Sequence, residues 1–256
     1  TDIRLSLVGS EMCIRDRSDK GVLCLTMNDL ACKNALSKKE YVQDIPFIAG
    51  SNRDEVKLWL GSAIYFVELK FSFLGNIFNV PRVKLKDKDA FEAFNYYRSN
   101  AWQIRGVDEP LSALESAGLN NLYAYRYDWD DHRKLFVANF KKLIGAAHAT
   151  EIPLLTGNMD LVGGYPLSDL IYPPSFSKRY LSKNMMKFWT TFAKTGAPGD
   201  SSNSVLWEPY LSKGDASYYL ILDNKMRRFL QHTLVYLRFQ SRLWFERSPG
   251  LLQLFV

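Results

Sequence analysis

The sequence predicts an α/β domain, and three observations carry that expectation. Asp44-Ile45-Pro46-Phe47-Ile48-Ala49-Gly50 is a short apolar run that ends in glycine before a polar turn. Leu122-Tyr123-Ala124-Tyr125-Arg126-Tyr127-Asp128-Trp129 and Tyr218-Tyr219-Leu220-Ile221-Leu222 are aromatic and aliphatic runs of strand type. Between them lie segments with helical spacing and clear start and stop residues. Strand-like runs alternating with helices indicate a mainly parallel sheet with covering helices.

Each element has a local reason. The run at 44–50 reads as a buried strand that delivers Ser51-Asn52-Arg53-Asp54-Glu55 at its C-terminal end. Residues 56–80 are apolar and aromatic with breaks at Gly61 and Gly75, which fits either a helix or a covering loop region. Asp87-Lys88-Asp89 supplies a cap and a first-turn carboxylate for a helix through Phe91, Phe94, Tyr97 and Trp102. A second helix covers 109–117, with Gly118 as its stop. Ser182 is expected to cap a helix whose Met185, Met186, Trp189, Phe192 and Ala193 form one apolar stripe, ended by Gly196 and Pro198. From 224 onward, Phe229, Leu234, Leu237 and Trp244 predict a basic amphipathic helix, packed on its own domain or lying on a lipid surface.

Composition narrows the possible functions. The chain has 256 residues, 47% of them hydrophobic and 23% charged, which excludes wholesale disorder. Cys13, Cys24 and Cys32 form no CxxC or Cys/His spacing, so neither a disulfide framework nor a zinc site is expected. The apolar stretches are short and broken by Lys, Arg or Asn, and no transmembrane segment is expected. The net charge of +6 comes from Lys and Arg spread along the chain, with small clusters at 82–88 and 225–228. Without an aromatic-plus-basic fingerprint this reads as a solvated basic surface, and no nucleic-acid partner is expected.

Residues 1–17 stand apart. Ser6-Leu7-Val8-Gly9-Ser10-Glu11-Met12-Cys13-Ile14-Arg15-Asp16-Arg17 has no strand or helix period, no capping logic and no apolar core of a secretory leader. It resembles translated sequencing-adaptor read-through, or else is a disordered arm; neither carries function. The compartment is left open.

Three histidines limit the search for a base. His132 sits in the charged stretch Asp130-Asp131-His132-Arg133-Lys134 and His232 in the basic terminal segment, so both read as solvated surface residues. His148 differs, because Gly145-Ala146-Ala147-His148-Ala149-Thr150-Glu151 surrounds it with small residues that leave room for a ligand. Its near-neutral ordinary pKa suits a general base.

Three motifs occur in order. Gly50-Ser51-Asn52-Arg53-Asp54-Glu55 matches G-x-N-x-D-E, and Gly145 to Glu151 matches G-x-x-H-x-x-E. Trp189-Thr190-Thr191-Phe192-Ala193-Lys194-Thr195-Gly196-Ala197-Pro198 matches W-x-x-F-A-x-x-G-x-P, followed by Trp207-Glu208-Pro209-Tyr210. Together they resemble the C-terminal half of the type-B carboxylesterases, the cholinesterase-related branch of the α/β-hydrolases, from about residue 18 to residue 247. The resemblance implies that 18–256 is the C-terminal portion of one α/β-hydrolase domain, an incomplete, mainly parallel sheet with covering helices. It implies hydrolysis of small carboxylic esters through a Ser-Glu-His triad and an acyl-enzyme, without metal or organic cofactor. On this sequence Glu55 matches the acid and His148 the base.

Departures from the pattern are informative. Val56 and Ala149 stand where the family has glycine, so the turn after the acid and the approach to His148 are expected to differ. Asp54 is a competing acid with an alternative role as a turn carboxylate. Glu151 is expected to face away from His148 as a structural or helix-start charge. The family's G-E-S-A-G nucleophile turn is absent. Its lookalike, Leu114-Glu115-Ser116-Ala117-Gly118, has leucine for the first glycine, the wrong chain order and a helix-turn-strand context. The expected partner is therefore the missing N-terminal half of the same domain, and this chain alone is expected to be inactive. The alternative is a non-catalytic, cholinesterase-like interaction domain, which keeping both Glu55 and His148 disfavours.

Overall fold

In the computed structural model the described residues are 36–40, 42, 44–62, 66–71, 82–165, 167–201, 205–211 and 216–232. The apolar run after Pro46 extends as β1 (Phe47–Asn52) and turns through 53–56 into α1 (Lys57–Ser62). β2 (Val67–Lys70) and β3 (Arg82–Leu85) form an antiparallel ribbon with Val67 opposite Leu85. Asp87 caps α2 (Lys88–Gln103), its carboxylate accepting from Ala90 N at 2.9 Å, as the acidic start predicts. A π-turn at Ile104–Asp108 leads into α3 (Glu109–Ser116), which Gly118 ends at φ +94°. Then follow β4 (Leu122–Tyr127), α4 (Phe140–Leu143), α5 (Ile152–Thr156), α6 (Leu167–Ile171), α7 (Phe176–Thr195), β5 (Ala216–Leu222) and β6 (Arg227–His232).

The sheet order is β1-β4-β5-β6, with the first two pairings parallel and the last antiparallel. Strand periodicity then divides the core between two faces. Tyr123, Tyr127, Leu220 and Leu222 point to one side, where Leu181, Met185 and Phe188 of α7 pack with Trp129 and Trp207. Leu122, Ala124, Tyr219 and Ile221 point to the other, against Val107, Leu111 and Leu114. Fully burying such side chains is worth roughly 1.5–3 kcal/mol each, so this two-sided burial is the main force holding the layers together. Both faces are covered, as parallel sheets require.

Gly50 is fixed by its neighbour rather than by its backbone. It pairs with Tyr125, and a Cβ added there would lie 2.2 Å from the tyrosine ring. The glycine lets Tyr125 lie across β1.

Several expectations are corrected. The cap of α7 lies seven residues before Ser182: it is Ser175, accepting from Lys178 N at 3.1 Å. Ser182 is an interior residue whose hydroxyl donates to Leu154 O at 2.7 Å. The buried stripe is Leu181, Ser182, Asn184, Met185 and Phe188, while Met186 and Ala193 face outward. At 227–232 a strand replaces the expected helix. The turn after β5 sends the chain straight back, and six residue pairs from Ala216–His232 to Ile221–Arg227 form an antiparallel ladder. Nearest-neighbour pairing with short loop closure outweighs the amphipathic spacing. Segment 1–17, the three cysteines, Tyr65 and the segment from 233 onward lie outside the described residues. Among the described residues no helix is long and apolar enough to cross a membrane.

Candidate active site

Two segments distant in sequence meet beyond the C-terminal end of β1. The first is the 53–56 turn, and the second is the 145–151 loop. Asp54 N donates to Ala146 O at 3.0 Å, Ala146 N donates to the Asp54 carboxylate at 3.0 Å, and His148 N donates to Glu55 O at 3.2 Å. This backbone zipper brings the acid and the imidazole together. His148 Nδ1 lies 2.8 Å from Glu55 Oε2. A carboxylate oxygen accepts, so Nδ1 carries the hydrogen, and Nε2 is the nitrogen left for chemistry.

Glu55 is oriented from its other oxygen. Asn52 N donates to Oε1 at 2.7 Å, while the Asn52 side-chain amide donates to Ala147 O at 2.7 Å and to the Glu151 carboxylate. One strand-end asparagine thus holds both the acid and the histidine loop. The Glu55 hydrogen bond raises the His148 pKa above its ordinary value; burial opposes this, and the Glu55 and Glu151 charges add to it.

Of the two readings of Asp54 the turn carboxylate holds, and Glu151 is a helix-start charge, as expected, but points another way than expected. Asp54 is no competitor for the histidine. Its oxygens take donors from Asn95, Arg53 and Ala146 and an ion pair from Lys57, so it ties the turn to α2 and to the loop. Burial works against its ionisation, yet Arg53 and Lys57 hold its carboxyl below the ordinary value. Glu151 does not face away: its carboxylate turns inward to Asn52, and burial pushes its pKa up.

The two glycine replacements behave differently. Val56 keeps ordinary backbone, whereas Ala149 adopts φ +64°, the left-handed region that favours glycine.

Aromatic rings flank the histidine. Trp59 lies 5.1 Å and Trp102 5.5 Å from the His148 ring, centroid to centroid, and the two indoles stack at 6.1 Å. Trp59 thus stands beside the imidazole, while Phe66 packs on Phe91 and Phe94. Trp102 was not legible as a site residue, because it reads as one more apolar position of α2. Asn52 sits inside the first motif without any feature that marks its double role.

The other histidines separate. His132 is buried, not solvated: Nε2 lies 2.7 Å from Gly145 O and Nδ1 2.5 Å from Ile171 O. The partners are backbone carbonyls of a loop and of the end of α6, which a charged local sequence cannot reveal. His232 ends β6. Ser116 ends α3, its hydroxyl donating to Ser112 O at 2.8 Å, and a turn and β4 follow it.

Comparison with known proteins decides the family. The family model described as the carboxylesterase family matches residues 87–237, more than half of the chain. The chain belongs to the carboxylesterase family. Among the relatives it matches, the bile salt-activated lipase of Homo sapiens is 35% identical over 107 residues, covering 41% of this chain and 12% of that protein. The para-nitrobenzyl esterase of Bacillus subtilis is 28% identical over 191 residues, covering 71% of this chain and 35% of the relative. This carboxylesterase chain therefore spans about a third or less of the length of these curated relatives.

Solved structures agree on the architecture. A carboxylesterase from Geobacillus stearothermophilus superposes with TM-score 0.52 at 16% identity, covering 82% of this chain and 42% of that one. A PNB esterase gives TM-score 0.50 at 19% identity, covering 82% and 40%. The carboxylesterase chain thus has the C-terminal part of an α/β-hydrolase fold.

Proposed function

We propose that this chain supplies the acid and base of a serine carboxylic ester hydrolase. The observation that carries this reading is the 2.8 Å contact between His148 Nδ1 and Glu55 Oε2. Glu55 fixes the tautomer and steadies the imidazolium, and His148 Nε2 takes the proton of a serine hydroxyl as its oxygen attacks the ester carbonyl. The imidazolium then gives that proton to the leaving alkoxide, releasing the alcohol and leaving an acyl-serine. Water, deprotonated by the same nitrogen, attacks the acyl carbon; the carboxylic acid leaves and the serine regains its proton.

The nucleophile and the oxyanion donors come from outside this sequence, which contains no G-x-S-x-G. Residues 18–256 act as the C-terminal portion of one domain, and the chain by itself does not turn over esters. The test is to recover the coding sequence upstream of residue 18 and express the extended protein. Hydrolysis of a p-nitrophenyl acyl ester by that protein, lost in His148→Ala and in Glu55→Ala, supports the reading. An upstream segment without a nucleophilic serine, or turnover that survives His148→Ala, refutes it and favours an interaction domain.

A further inference from the structure

We propose that His132 is a positioning residue for the base: its ring braces the Gly145 carbonyl and thereby the loop that presents His148 to Glu55. The inference rests on His148 being the base.

The geometry has three parts. The His132 ring is buried, with Nε2 2.7 Å from Gly145 O and Nδ1 2.5 Å from Ile171 O, so it bridges the 145–151 loop and the end of α6. Its plane is set by an edge-on contact with Trp129, at 5.3 Å and 87°, and Trp129 is itself stacked on Tyr172 at 5.9 Å.

Gly145 is the point at which the loop turns. It adopts φ +57°, and a Cβ there would lie 2.4 Å from Asp54 Oδ2. Asp54 therefore fills the space that a side chain at 145 would need, while the His132 ring lies against the Gly145 carbonyl. From that fixed point the chain runs through Ala146, tied to Asp54, and Ala147, tied to Asn52, to His148. A base must sit within a few tenths of an ångström of its productive position, and a rigid supporting shell is what secures this.

The charged neighbours of His132 are otherwise engaged. Asp130 pairs with Arg53 and Lys141, and Asp131 takes Lys141, Asn224 and Ser177. The ring's role is thus directed at the carbonyls.

The test reads the proton between His148 Nδ1 and Glu55 by NMR on the whole chain. Its downfield line is assigned by its loss in His148→Ala. His132→Phe keeps a ring against Trp129 but removes both nitrogens. The brace predicts at least tenfold faster solvent exchange of the His148 line, with amide protection in β4 and β5 unchanged. Tyr172→Phe, which removes the hydroxyl bond to Thr150 O, leaves the line as it was. Should His132→Phe not fold, His132→Gln is read in the same way. A folded variant of either kind with wild-type exchange overturns the proposal, as does a wild-type chain without the line. Failure of ester hydrolysis in the extended protein would instead remove the function and leave the exchange contrast standing.

Discussion

His148 Nδ1 and Glu55 Oε2 lie 2.8 Å apart although 93 residues separate them in the chain. Replacing Glu55 by Gln weakens the hydrogen bond that chiefly raises the His148 pKa and removes the charge that adds to it. The His148 midpoint, followed by NMR, is expected above the ordinary value of about 6.5 in the wild type and lower in Glu55→Gln. Because the native value is raised, the pair stabilises the fold fully below about pH 6.5, and the contribution disappears as pH rises through the native midpoint. Denaturant titrations across that window should show the slope in wild type and its loss in the variant.

Asp108 gives a second pH dependence. It is buried, and among the described residues neither carboxyl oxygen has a hydrogen-bond partner, so burial pushes its pKa up to about 7. Stability is then highest with Asp108 neutral and falls as pH rises from about 4 toward 7. Asp108→Asn should stabilise the chain by roughly 2–4 kcal/mol at pH 8 and by progressively less toward pH 4. Urea melts at the two pH values check this; equal gains at both would contradict it.

Ala149 holds a left-handed backbone that its Cβ disfavours. Ala149→Gly relieves that strain at some cost in unfolded-state entropy, for a net gain of roughly 0.5–1 kcal/mol. The gain is read as a higher urea midpoint at unchanged slope.

Gly50→Ala acts in the opposite direction. The added methyl meets the Tyr125 ring inside the β1–β4 pairing, and overpacking of this kind costs about 1–3 kcal/mol. A loss of thermal stability of that order is expected, and Gly50→Ala should cost less when introduced into a Tyr125→Ala background.

Much of this was legible in the sequence, and the exceptions share a cause. The strands at 47–52, 122–127 and 216–222 announce themselves by apolar runs and turn residues. Asp87, Gly118 and Gly196 mark helix ends by local chemistry. Glu55 and His148 stood out because each lies within a short motif. What stayed hidden depends on distant backbone. His132 looks solvated until the Gly145 and Ile171 carbonyls close on it. Ser182 looks like a cap because the true start at Ser175, seven residues earlier, lies before the apolar stripe begins. The terminal segment has helical spacing, but a strand one turn away offers a full ladder of partners at 227–232. Glu151 looks outward until Asn52 reaches it across the loop.

Among the described residues, β1 is the outermost strand on its side of the sheet. A polypeptide joining that margin lies about 4.8 Å away and, if it runs parallel, finishes alongside the bend that holds Glu55. Under the proposed reading, seating a further strand on that margin and completing the surroundings of Glu55 would be a single event.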